Sequence, residues 1–76
     1  MIRELDTVVL NRDIEEHKLR CGDIGAVVHC YLDKAVYEVE FITAEGKTIA
    51  LLTLTDTEIR PMANRDILHV RELTPV

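Results

Sequence analysis

The segment that most constrains this chain is Gly22-Asp23-Ile24-Gly25, which runs directly into Ala26-Val-Val-His-Cys-Tyr31. After a short polar break, Ala35-Val-Tyr-Glu-Val-Glu-Phe-Ile42 alternates apolar and acidic residues. A glycine turn feeding one strand, followed by a strand of period two, is the pattern of a small, strongly bent antiparallel sheet. Tyr37, Val39 and Phe41 fall on one face of the second strand, and Glu38 and Glu40 on the other. The first set is expected to face the core and the glutamates to face water. One or both of Gly22 and Gly25 supplies a positive φ or a close backbone approach.

The rest of the chain is read against these two strands. Leu5-Asp-Thr-Val-Val-Leu10 is short and β-branched and predicts a first strand. Asn11-Arg12-Asp13 ends it. Residues 14–20 predict a long loop pinned by Ile14 and Leu19, with room for one helical turn at 15–18 and no more. Leu32-Asp33-Lys34 and Ala44-Glu45-Gly46-Lys47 predict hairpin turns. Thr48-Ile-Ala-Leu-Leu-Thr-Leu54 predicts a fourth strand that does not alternate and is apolar on both faces. Either Ile49 and Leu51 point inward and Ala50, Leu52 and Leu54 outward, or the reverse. Thr55-Asp-Thr-Glu58 reads as a tight turn, and Ile59-Arg-Pro-Met62 as a short fifth strand that Pro61 confines to an edge. The last segment, Ile67 to Leu73, fits strand and helix spacing about equally. It is expected to be a sixth extended piece that pairs with strand one or packs on strand four.

Five short antiparallel strands in this order, with one long loop, two hairpins and a tight turn, predict an all-β fold. The expected form is a small SH3-like antiparallel barrel of about five strands with an extra C-terminal segment, strand or short helix. An open meander completed by a second copy is the alternative. At 76 residues, one domain over 1–76 is expected. Such a domain buries only roughly 60% of the surface its unfolded chain exposes. The core must be Val, Ile and Leu, because the only aromatics are Phe41, Tyr31 and Tyr37.

Fourteen acidic and nine basic residues leave a net charge of −5, the wrong sign for general binding to phosphate backbones. Nucleic acid is therefore disfavoured, and a protein partner or self-association is expected. No apolar run is long enough to span a bilayer, and the opening Met-Ile-Arg-Glu-Leu-Asp lacks the order of a secretion signal. A cytoplasmic location is expected, with Cys21 and Cys30 as free thiols.

No catalytic, cofactor or metal site is expected. His17, His29 and His69 with the two cysteines lack the close paired spacing that zinc requires. His29 and Cys30 are adjacent on a strand and point to opposite faces. On a regular strand Cys30 shares a face with Ala26 and Val28, as a small buried hydrophobe rather than a nucleophile. Glu38 and Glu40 read as a solvated strand face. Gly22-Asp-Ile-Gly25 is followed by a strand, not the helix a phosphate loop needs. The candidate interaction surface is the doubly apolar fourth strand with the segment after it: Ala50, Leu52, Leu54, Leu68 and Val70.

Several stretches together resemble a known family: Glu4-Leu-Asp-Thr-Val-Val-Leu10, Glu16-His17, Leu19, Gly22-Asp23-x-Gly25-x-Val27-Val28, Tyr37-Glu-Val-Glu-Phe41, Gly46-x-Thr48-Ile-Ala50 and Ile59-Arg-Pro61. The chain from about Glu4 to Pro61 resembles the short bacterial proteins of domain-of-unknown-function family 4926. The resemblance implies a compact SH3-like β protein and carries no activity onto any residue. Genes of this type beside toxin-like neighbours imply a binding partner. Lys18 and Cys21 stand where family members often carry a small residue. The expected function is a non-enzymatic protein-interaction module, such as an antitoxin, immunity protein or accessory subunit of an adjacent gene product. A nucleic-acid-associated SH3-like module is the alternative.

Overall fold

The computed structural model describes residues 2–73. Five strands form one antiparallel sheet: β1 (Thr7–Leu10), β2 (Ile24–Tyr31), β3 (Val36–Ile42), β4 (Thr48–Thr55) and β5 (Ile59–Pro61). Their order is β4-β3-β2-β1-β5, so the first strand lies between the second and the last. This is a small SH3-like barrel-type fold, and among the described residues it is all-β apart from one 3-10 turn at Glu15–His17.

Local chemistry accounts for the elements. β1 starts at Thr7 rather than Leu5, because Leu5 sits at φ 72, outside the extended region. The loop between β1 and β2 is pinned as expected. Ile14 and Leu19 are buried and exchange backbone hydrogen bonds of 2.8 and 3.1 Å. Gly22 and Gly25 play different parts. Gly22 adopts φ 97 in the turn. Gly25 is buried against β3, where an added Cβ would lie 2.6 Å from Val39 Cγ1 and 2.8 Å from Phe41 Cε1.

The core lies on the concave side. It gathers Val8 and Leu10 of β1, Val27 of β2, Val39 and Phe41 of β3, Ala50 and Leu54 of β4, Ile59 of β5, and the two loop anchors. β4 therefore turns Ala50, Leu52 and Leu54 inward, and Leu51 and Thr53 outward. A bulge across from Phe41 and Ile42 takes Ile49 out of register and lets it pack against the core as well. A second bulge, in β2 between Val27 and His29, corrects the expected face of Cys30. The extra residue flips the alternation. Cys30 joins Val27 on the core side, and Val28 is exposed.

The C-terminal segment departs most from expectation. Residues 67–73 are neither strand nor helix, and they do not pair with β1. Both edges of β1 are already taken by β2 and β5, so no backbone partner remains there. The segment is instead a strap with two ionic anchors. Asp66 accepts both Arg60 guanidinium nitrogens at 2.9 and 3.0 Å and the Ala63 N–H at 2.7 Å. Arg71 donates Nε to Asp23 Oδ1 at 2.8 Å, a second bond to Oδ2, and a third to the Lys18 carbonyl at 3.0 Å. Arg60, Val9 and Ile24 are ladder neighbours, so the anchors lie on either side of Val9. Val9 is 6% exposed without belonging to the core cluster. The strap also comes beside β4, where Val70 and Leu73 line one cleft with Ile49.

A candidate interaction site beside the C-terminal strap

The strap and the β3–β4 hairpin enclose a cleft of about 630 Å³. Its walls include Ile24 of β2, Ile42 of β3, Ile49 of β4, and Val70 and Leu73 of the strap, with Asp23 and Arg71 among its polar groups. Ile42 comes here because it ends the alternation of β3 pointing away from the core, where it is 55% exposed. The volume is that of a ligand or side-chain pocket, and its lining sets apolar side chains beside Asp23, Thr43, His69, Arg71 and Glu72, which suits a segment with both apolar and polar groups.

Asp23 ties this region together. Its carboxylate accepts the Arg20 N–H at 2.8 Å as well as the two Arg71 bonds. Burial pushes its proton affinity up. The Arg71 hydrogen bonds, the Arg20 N–H and the two positive charges outweigh that, and the carboxyl lies below its ordinary value. Asp66 is lowered to about 2, held there by Arg60 first and by the Ala63 N–H next. Both strap anchors are thus charged at neutral pH.

Only part of the sequence-based surface is available to a partner. Ala50 and Leu54 are buried in the core, and Leu52 is half-buried against it, so these three present no free surface. Leu68 and Val70 are exposed on the strap, Val70 at 89%, with Ile67 beside them. The outward apolar residue of β4 is Leu51, which is 55% exposed. Sequence reasoning missed Ile42, Ile49 and the Asp23–Arg71 pair as parts of the site. The apolar dipeptide Phe41-Ile42 did hold a signal for Ile42, since two successive strand residues must face opposite ways. The ion pair spans 48 residues of sequence and has no local signal.

The remaining polar residues are structural. Thr48 Oγ1 donates to Glu40 at 2.7 Å, and Thr53 Oγ1 donates to Glu38, so both glutamates brace the outer face of β3 and β4. His29 packs edge-on against Tyr31 at 4.7 Å. The Cys30 thiol is pushed above its ordinary value by burial and by the carboxylates of Glu4 and Asp6, the reverse of what activates a nucleophile. Among the described residues no group of His, Cys, Asp or Glu side chains could hold a metal ion. No helix among them is long and apolar enough to cross a membrane.

No curated protein and no solved structure matches the chain. One family model does, across residues 4–61, and its description is a domain of unknown function. That span takes in all five strands and the pinned loop and stops where the strap begins. The barrel is therefore the shared part, and the chain belongs to the DUF4926 family of domains of unknown function.

Proposed function

We propose that this protein is a non-enzymatic interaction module that binds another protein in the bacterial cytoplasm, as an antitoxin, immunity protein or accessory subunit of an adjacent gene product. The observation that carries the reading is the cleft beside the strap, walled by Ile24, Ile42, Ile49, Val70 and Leu73, with Ile42 and Val70 exposed to a partner. Contiguous apolar surface of this kind favours a partner over open water. The net charge of −5 favours a partner segment that is apolar with basic flanks and disfavours nucleic acid. A raised thiol at Cys30 supports a binding role over nucleophilic catalysis.

The test is capture from the native cell with the tagged full chain and with the Ile42→Asp variant, followed by titration of the purified partner. Ile42 is exposed, so the variant is expected to fold. A partner that binds the parent chain and loses at least about tenfold in affinity to the variant supports the reading. Equal binding by both, or no stable partner, refutes it.

A further inference from the structure

Residues 67–73 are held to the barrel mainly by one side chain. Six of the seven are exposed, Ile67 at 91% and Val70 at 89%, and Arg71 alone is half-buried. Apolar burial therefore does little to hold this part of the strap down. Its tie is the Arg71 guanidinium, which donates to both oxygens of Asp23 and to the Lys18 carbonyl.

The receiving groups are set by their own turn. Asp23 Oδ2 accepts the Arg20 N–H at 2.8 Å, and the Asp23 N–H donates to the Arg20 carbonyl at 2.9 Å. Lys18 is held at φ 60, with its N–H donating to the Glu15 carbonyl at 3.0 Å. A carboxylate and a carbonyl fixed in this way form a socket for the planar fork of arginine rather than the point charge of lysine. The socket lies within the family-matched span 4–61, and Arg71 lies outside it. Arg71 also stands between two clefts. The second, of about 380 Å³, is lined by Asp13, Glu15, Lys18 and Arg20, and it shares Leu19 and Arg71 with the first. Leu19 belongs to the core, so Arg71 is the removable part of that wall. Withdrawing the guanidinium leaves Asp13, Glu15 and Asp23 against Lys18 and Arg20, an acidic balance that favours a cation there.

We propose that Arg71 holds the place of a partner's arginine. The partner presents an extended segment whose arginine displaces Arg71 from Asp23 and Lys18, an assignment that rests on the cleft being a protein-binding site. Apolar residues beside that arginine enter the cleft between Ile24, Ile42 and Ile49. The strap itself has this composition: in Val70-Arg71-Glu72-Leu73 the two apolar residues line the cleft on either side of the arginine. Because it is tethered, Arg71 competes at a high effective concentration. The closed strap thus keeps weak ligands out and yields to a segment that fits the socket and the cleft together.

The probe is a labelled peptide with the sequence of residues 67–73, titrated by fluorescence anisotropy into the full chain and into its full-length Arg71→Ala variant. The variant should bind it at least about tenfold more tightly than the parent, because its socket is vacant. An Arg71→Lys version of the peptide should lose at least about tenfold of that affinity. Arg60→Ala loosens the strap at its other anchor with the socket still filled, and should bind the peptide as the parent does. In the parent chain, excess peptide should move the Arg71 Nε–H resonance toward that of free arginine, a readout that needs no variant. Equal binding by parent and Arg71→Ala, an equally good lysine peptide, a gain in Arg60→Ala that matches Arg71→Ala, or an Arg71 Nε–H that ignores the peptide overturns the proposal. None of these outcomes alters capture of a partner that is lost in Ile42→Asp, so failure here is distinct from failure of the proposed function.

Discussion

Replacing Gly25 with alanine tests the packing that lets β2 approach β3. The added methyl would sit 2.6 Å from Val39 Cγ1, 2.8 Å from Phe41 Cε1 and 3.1 Å from the Glu40 carbonyl oxygen. Comfortable carbon–carbon contact is about 3.5–4.0 Å, so both side chains must retreat by roughly 1 Å. Val39 and Phe41 are at most 2% exposed and have nowhere to go. Overpacking of this sort costs about 1–3 kcal/mol. The φ of Gly25 is one that alanine tolerates, so the variant recovers about 0.4–1 kcal/mol through a less flexible unfolded chain. Mid-range values of about 2 and about 0.7 kcal/mol leave a net loss of about 1.3 kcal/mol, which lowers the melting temperature by about 5–10 °C in a domain of this size. Urea and thermal unfolding followed by circular dichroism measure it. Val39→Ala removes the nearest clashing carbon, so the double variant should recover at least about 0.5 kcal/mol relative to the sum of the single losses. A Gly25→Ala protein as stable as its parent would refute the close-approach argument, and so would strict additivity with Val39→Ala.

Three further outcomes follow from the loop and the strap. Lys18 holds the left-handed conformation, φ 60, at the end of the 3-10 turn, so Lys18→Gly should stabilise by about 0.5–1 kcal/mol in urea denaturation, its carbonyl still accepting Arg71. Arg71→Ala leaves the half-buried Asp23 carboxylate without its guanidinium and should cost about 1–2 kcal/mol in urea denaturation; a variant as stable as its parent would count against the anchor. Acid should loosen the strap. Asp66 titrates at about 2 when folded, Asp23 is also lowered, and an unfolded aspartate titrates near 3.9, so the folded state binds fewer protons in between. Their stabilisation is complete above about pH 5 and is lost as pH falls through about 4 toward 2. The urea midpoint should drop across that window, and less steeply in Asp66→Asn; equal slopes would refute the anchor.

Composition alone bounds the core: among the described residues its buried members are strand residues and the two loop anchors, with Ile2 packed against them. Alternation in Tyr37-Glu-Val-Glu-Phe41 assigned the inward and outward sets of β3 correctly, because one face of a half-buried strand must be apolar. Ile14 and Leu19 were legible for a similar reason: isolated apolar residues in a polar loop have only the core to go to. The candidate site was less legible. Leu68 and Val70 stood out in the sequence as apolar side chains beyond the last strand, and both are exposed. Leu51 was obscured, since an uncharged strand such as β4 has no polar face by which to choose its orientation.

The amino-acid pattern alone was enough for the succession of strands along the chain, the turns between them and the all-β class, since these rest on period, glycine placement and turn chemistry within a few residues. The tertiary structure alone decided three things. The β2 bulge sends Cys30 to the core side, because one extra residue inverts every face after it. The faces of β4 were chosen by the fit of Ala50, Leu52 and Leu54 against a core built by the other strands. The strap is tied to the turn before β2 because Asp23 and Arg71, 48 residues apart, meet in space, and such a pairing depends on where the finished sheet places each charge.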